Sequence, residues 1–249
     1  MHHPREVVGS GRPATAADLE PDGYALFPGA LAAGPRSAAL DWLSRAERRA
    51  LDEPGLQAQF EPAAPGEQPV VRKLRRLIWN DPHFWRDVLE GAGVLELGER
   101  LVPGRTAIVG HTAFLKPGRV GTRVPLHQDQ RLWSAQWPGA VSVWFALAPT
   151  TPENGCLEVC AGSHRNGLVE HGWDTSGPHP APRVNPSATG LAAPRAVPMA
   201  AGDALAWHRY LVHGSGPNQS SRARRAMVLV FADADAPGFD ADDVLLLRG

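Results

Sequence analysis

The sequence predicts a mainly β domain with flanking α-helices, in which an antiparallel barrel or sandwich fills the second half. Three observations carry that prediction. From about residue 105 onward, short apolar or alternating runs recur: Ala107–Val109, Val141–Leu147, Leu157–Val159, Ala204–Trp207 and Ala226–Phe231. Turn-forming Gly, Pro and Asn bound them, and Gly (26) and Pro (24) are frequent throughout, which favours many turns over long helices. Helical periodicity is confined to the first half.

Taken in order, Ala14 to Asp22 reads as a short capped helix and Gly23–Phe27 as a first strand. Residues 35–52 have helical composition, with Ala39, Leu43, Ala46 and Ala50 recurring on one face. A Pro/Gly-rich loop spans about 53–69, and Arg72, Lys73, Arg75 and Arg76 read as a solvated helix or loop face, with Arg72 and Lys73 also suited to an acidic substrate. Asp81 and Pro82 begin a second helix, Asp as N-cap and Pro in the first helical position. Its apolar positions Phe84, Val88, Leu89, Val94, Leu95 and Leu97 require a packing partner. Between two of the later strands, Asn218–Ser221 reads as a hairpin turn. The stretch 165–200, dense in Pro and Gly, is expected to be a lid or binding loop.

The 249 residues suit one domain over 1–249, with a helical or mixed part at about 1–104 and the strand core at about 105–235. A chain of this length buries roughly 70–75% of its unfolded surface and needs no staple. Lys plus Arg number 25 against 26 Asp plus Glu, so the near-zero net charge argues against nucleic-acid or anionic-membrane partners. Cys156 and Cys160 are too few for a disulfide framework and read as small buried residues. Neither a signal peptide nor a bilayer-spanning apolar run is visible, so a cytoplasmic protein is expected.

The chemistry concentrates in Pro125-Leu126-His127-Gln128-Asp129-Gln130. In a strand, residues two apart share a face, so an imidazole and a carboxylate would project side by side onto one metal ion. A third ligand must come from another strand; two His and one carboxylate leave three positions open, the set associated with O₂-activating iron(II). Downstream, Gly202 to Asn218 contains His208 and His213, and Arg222, Arg224 and Arg225 follow. A His ending one strand and an Arg beginning the next across a turn suit a metal ligand with a bidentate cation for a dicarboxylate.

In three blocks the sequence resembles the phytanoyl-CoA dioxygenase-like branch of the iron(II)/2-oxoglutarate oxygenases, which also contains ectoine hydroxylase. The first block is Lys116-Pro117-Gly118 with His127-x-Asp129 and Trp133; the second runs from Pro152-Glu153-Asn154-Gly155-Cys156-Leu157 through Gly162-Ser163-His164; the third from Gly202-Asp203 through Arg224. The resemblance covers roughly residues 20–232 and implies a double-stranded β-helix (jelly roll, cupin-like) with helices outside. It implies His127, Asp129 and His213 as the iron ligands. Arg224, eleven residues after His213, would take the distal carboxylate of 2-oxoglutarate with Ser215 in support, and Lys116 and Trp133 lie near the cosubstrate and the iron. Because Asp129 is present, halogenation, for which relatives replace the carboxylate by a small residue, is disfavoured.

The implied cofactors are iron(II), 2-oxoglutarate as cosubstrate and O₂, with ascorbate as an optional stimulant. The implied reaction oxidises, most simply hydroxylates, a C–H bond of a small molecule with release of succinate and CO₂. His111, Arg123, Arg131 and Trp137 complete the candidate set as substrate contacts, His111 reading equally well as an ordinary buried His, and a natural-product intermediate is the expected substrate class. Trp144 and Trp207 read as core, His208 as structural, and His164 as a turn or barrel-wall residue. A silent metal-binding jelly roll would explain the triad but not Arg224 and Ser215. A zinc hydrolase would need a base beside the ligands, as in His-Glu-x-x-His, which the sequence lacks. Oligomeric state is not readable from the sequence.

Overall fold

The computed structural model describes residues 15–133, 137, 139–185, 190–239 and 244–247. A 3-10 turn at Ala16–Asp18 leads into strand β1 (Tyr24–Phe27) and helix α1 (Ala33–Arg49). Strands β2 (Gln59–Glu61) and β3 (Val70–Leu74) follow, then helices α2 (Leu77–Asn80), α3 (Pro82–Gly91) and α4 (Val94–Leu101). Next come β4 (Thr106–Lys116), β5 (Val124–His127), the helical turn α5 (Asp129–Leu132), β6 (Val141–Ala146) and β7 (Leu157–Val159). The chain continues through β8 (Gly172–Asp174), β9 (Ala181–Arg183), β10 (Arg195–Val197), β11 (Ala204–His208), β12 (His213–Ser215), β13 (Arg224–Asp233) and β14 (Leu245–Leu246).

Among the described residues these strands build an eight-stranded sheet in the order β1-β11-β6-β13-β4-β3-β2, with β14 also on β4. A four-stranded sheet, β10-β7-β12-β5, packs against it, and β8 and β9 form a separate hairpin. The pairings are antiparallel, giving the jelly roll. Val141–Ala146 is buried at every position because both faces of its sheet are covered. Val141, Val143 and Phe145 pack with Trp42 and Leu43 of α1 and with Trp85 and Leu89 of α3. On the opposite face, Trp144 and Ala146 meet Leu157 and Val159 of the smaller sheet. A period-2 pattern is therefore hidden inside an unbroken apolar run.

The helical layer follows the sequence closely, with instructive differences. Asp81 caps α3 by accepting from the Phe84 amide at 3.4 Å, while its other oxygen accepts from the Trp42 indole at 2.9 Å and so ties α3 to α1. The expected second helix is two, broken at Gly93, whose φ of 68° a helix cannot continue. Residues 70–74 are strand rather than a solvated face, because β3 pairs with β4 and turns its charged side chains toward a cavity. Asn218–Ser221 is not a hairpin turn: β12 and β13 lie in different sheets, so the segment crosses between them. Asn218 holds that crossing, donating to the carbonyls of Lys116 (3.0 Å) and Arg222 (2.7 Å). Within 165–200, β8, β9 and β10 replace the expected irregular loop; residues 186–189 lie outside the described residues, as do Ala14 and 134–136. Cys156 and Cys160 are free and buried. No helix among the described residues is long and apolar enough to cross a membrane.

Candidate metal centre and cosubstrate pocket

A cavity of about 540 Å³ opens between the sheets, and His127, Asp129 and His213 lie on its wall. His127 ends β5 and His213 begins β12, and the register pairs them directly across the four-stranded sheet. Gly214 makes this approach possible, since a Cβ there would stand 2.7 Å from the Val124 carbonyl. One ligand atom from each of the three side chains falls within 4.8 Å of the others. β5 stops at His127 and Asp129 opens α5, but Gln128 between them keeps an extended backbone (φ −109°, ψ 136°), so the two side chains still fall on one side. His208 and His213 sit on strands of different sheets, and His208 packs 5.5 Å from His164, away from the cavity.

The hydrogen bonds behind the triad fix what each group can offer. His127 Nδ1 lies 2.8 Å from the Pro125 carbonyl and His213 Nδ1 3.0 Å from that of Leu211. A carbonyl only accepts, so both Nδ1 atoms carry the hydrogen and both Nε2 lone pairs face inward. Asp129 Oδ1 stands 3.8 Å from His127 Nε2 and 3.5 Å from His213 Nε2. Its Oδ2 accepts from Ser142 Oγ at 2.6 Å and from Trp207 Nε1 at 2.8 Å. Burial opposes the Asp129 charge, yet the two imidazoles and these two hydrogen bonds outweigh it and hold the carboxyl below its usual range. Burial, with His213 beside it, pushes His127 down to about 4, so the ring is a neutral donor at physiological pH. Two imidazoles with their Nε2 atoms turned inward and one carboxylate are the set that divalent iron takes with positions to spare.

Deeper in the cavity lies Arg224, 2% exposed, its guanidinium across the Trp144 ring. Its Nε and Nη1 have no hydrogen-bond partner. Burial pulls it down to about 10, leaving it charged at neutral pH. A buried cation with open donors calls for an anion. Alternation along β13 decides between the neighbouring arginines: Arg225 turns to the helical layer, paired with Glu47 of α1 at 2.9 Å, while Arg222 is exposed before the strand begins. Ser215 lines the same cavity as Arg224 and His213. The residues present thus fit a divalent metal and, beside it, a dicarboxylate.

Other candidates divide. Trp133 and Trp137 line the cavity, their rings 5.4 Å apart. Lys116 is buried but donates to the carbonyls of Ser215 and Gly216, bracing the end of β12 rather than lining the cavity. His111 faces the helices, edge-on to Trp85 at 4.6 Å, because a bulge in the β13–β4 pairing leaves Gly110, Thr112 and Phe114 on the cavity side. Arg123 is paired with Asp174 and Ser176, and Arg131 is exposed; neither lines the cavity.

Sequence reasoning missed several wall residues. Trp144 and Trp207, read as core, both line the cavity. Ser142 carried a signal, the lone hydroxyl in an apolar strand. Lys73 lines the cavity from β3, its ammonium 4.6 Å from the Phe114 ring centroid, and burial with Arg75 and Arg72 nearby pushes it down to about 7. At the mouth a ring of polar contacts closes: hydrogen bonds join Arg72 to Gln59 (3.4 Å), Gln59 to His179 (3.2 Å) and His179 to Glu61 (3.3 Å), and an ion pair joins Arg72 to Glu61 (3.4 Å). It ties the β8–β9 hairpin to β2 and β3. Gln128 acts similarly on the inner side, donating to the carbonyls of Gly167 (2.7 Å) and Tyr210 (2.6 Å).

Comparison with known proteins agrees with this geometry. The phytanoyl-CoA dioxygenase (PhyH) family model matches residues 19–226. Phytanoyl-CoA dioxygenase of Arabidopsis thaliana is 33% identical over 191 residues, and phytanoyl-CoA dioxygenase 1 of Oryza sativa subsp. japonica 29% over 189. Each alignment takes in 71% of this chain and 65% of the relative, so the chain spans about two thirds of their length. The crystal structure of AviO1 from Streptomyces viridochromogenes Tue57 is similar with a TM-score of 0.71 at 26% identity, over 91% of this chain and 96% of that one. The chain belongs to the phytanoyl-CoA dioxygenase (PhyH) family of iron(II)- and 2-oxoglutarate-dependent oxygenases.

Proposed function

We propose that the chain is a dioxygenase that uses iron(II), O₂ and 2-oxoglutarate to oxidise, most simply to hydroxylate, a C–H bond of a small molecule. The observation that carries this is Arg224, a buried guanidinium with two unpartnered nitrogens in the same cavity as the His127–Asp129–His213 cluster. A bare metal site has no use for it; a cosubstrate with a carboxylate at each end does.

In this reading His127, Asp129 and His213 hold the metal, and their backbone and side-chain partners keep the lone pairs aimed inward. Arg224 and Ser215 receive the distal carboxylate, with the Trp144 ring under the guanidinium. Bound there, iron(II) with the 2-oxo acid supplies O₂ activation and oxidative decarboxylation, yielding succinate, CO₂ and the oxidised substrate. Val109, Val230, Trp133 and Trp137 give the outer cavity an apolar wall that suits a ring-containing or apolar portion of a substrate. A natural-product intermediate remains the class we favour. Free Cys156 and Cys160 accord with the cytoplasmic location expected from the sequence.

The test is anaerobic addition of iron(II) and 2-oxoglutarate to metal-free protein, with His213→Ala and Arg224→Leu alongside. A broad visible charge-transfer band in the wild type, lost or weakened in both variants, is expected. Metal binding without a band at any 2-oxoglutarate concentration would leave a metal protein of another kind.

A further inference from the structure

We propose that Ser142 and Trp207 form a cradle that fixes Asp129 as a one-oxygen metal ligand, which makes Trp207 a positioning residue of the reaction. This rests on the metal-dependent reading above and concerns residues that the resemblance did not assign.

The cradle is built by sheet register. Trp207 of β11 and Ser142 of β6 are directly opposed cross-strand partners, and both face the cavity. From there Trp207 Nε1 (2.8 Å) and Ser142 Oγ (2.6 Å) donate to the same atom, Asp129 Oδ2. Oδ1 alone is left toward the imidazoles, at 3.5 Å from His213 Nε2 and 3.8 Å from His127 Nε2. Asp129 sits past the end of β5, so no strand ladder sets its direction; the opposite sheet does. Both donors are neutral, so they hold the carboxylate without cancelling its charge. Binding a metal through both oxygens would require Oδ2 to give up those donors, so the cradle keeps one coordination position from being consumed by the carboxylate. Trp207 also packs its ring 4.6 Å from that of His213, touching two of the three ligands at once.

Trp207→Phe keeps a ring against His213 and removes only the N–H, and Ser142→Ala removes the second donor. Metal-free wild type and both variants are titrated anaerobically with iron(II) against a competing chromophoric chelator. The titration is repeated with 2-oxoglutarate, reading the position of the visible band, and the metal-free proteins are melted in parallel. Each variant is expected to bind iron(II) about 10–100-fold more weakly, as outer hydrogen-bond partners of metal ligands generally do, and to shift the band while its melting stays close to wild type. Wild-type affinity with an unmoved band in both variants would overturn the proposal, as would an affinity loss matched by a general loss of fold. If the wild type forms no 2-oxoglutarate band at all, the functional reading fails, and the cradle is then judged by the iron(II) titration alone.

Discussion

The guanidinium carbon of Arg224 lies 5.3 Å from the ring centroid of Trp144, and two of its nitrogens meet no acceptor. A buried cation left open costs stability, and even a buried ion pair, replaced by apolar side chains of similar volume, is often neutral or gains about 1–4 kcal/mol. Arg224→Met is therefore expected to melt higher than the wild type without ligand, by about 2–4 °C per kcal/mol gained. It should also lose the response to 2-oxoglutarate. Thermal melts with and without 2-oxoglutarate check both; a variant that melts lower and still responds contradicts the reading.

Glu61 has a fully buried side chain that accepts from the Thr122 amide and hydroxyl, each at 2.8 Å, and pairs with Arg72 and His179. Removing one partner of a buried pair typically costs about 3–5 kcal/mol. Glu61→Gln should lose stability of that order in urea denaturation. Hydrogen exchange should quicken first in residues 172–183, the hairpin that His179 anchors; uniform quickening across the sheet would argue against this anchoring.

His111 is fully buried, and burial pushes it down to about 3. The unfolded chain takes up a proton below about pH 6.5 while the folded ring does not until about pH 3, so the native state loses ground as pH falls through that window. The slope from this one group approaches about 1.4 kcal/mol per pH unit. His111→Phe, which keeps the packing on Trp85, should lose less stability than the wild type between pH 7 and pH 4 in denaturant titrations. Its 2-oxoglutarate binding should be unchanged.

Gly98 lies within α4, where Ala would ordinarily be favoured by about 1 kcal/mol. A Cβ there would stand 2.5 Å from the Phe231 ring, which is fully buried and cannot yield. Overpacking costs about 1–3 kcal/mol, so the sign reverses and Gly98→Ala should be destabilising. Chemical denaturation of the purified variant decides it.

Much of the site was legible because metal ligation and carboxylate binding each demand a few residue types. His127, Asp129 and His213 could be singled out, and the structure brings them together. The route was less legible. Two-residue spacing suggested a shared strand face; the strand ends at His127, and the extended backbone of Gln128 carries the same relation on to Asp129. Ser142 and Trp207 were hidden because their partner is decided by which non-consecutive strands adjoin, a matter of topology rather than local pattern. His111 was misplaced because alternation says that neighbours face opposite ways without saying which way the cavity lies. On β3, Arg72 and Lys73 read first as a solvated face and only second as contacts for an acidic substrate, because a strand that lines a cavity with charge looks, in sequence, like one that faces water.

The segment that leaves β12 and crosses to β13 places the imidazole of His213 on one sheet and the guanidinium of Arg224 on the other. A molecule grasped at one end through the metal and at the other by Arg224 would span the sandwich like a rivet, so that prising the two layers apart means releasing it. Cosubstrate supply and mechanical integrity then become one variable: the protein should resist heat and proteolysis increasingly, with the logarithm of the ratio of that molecule's concentration to its dissociation constant.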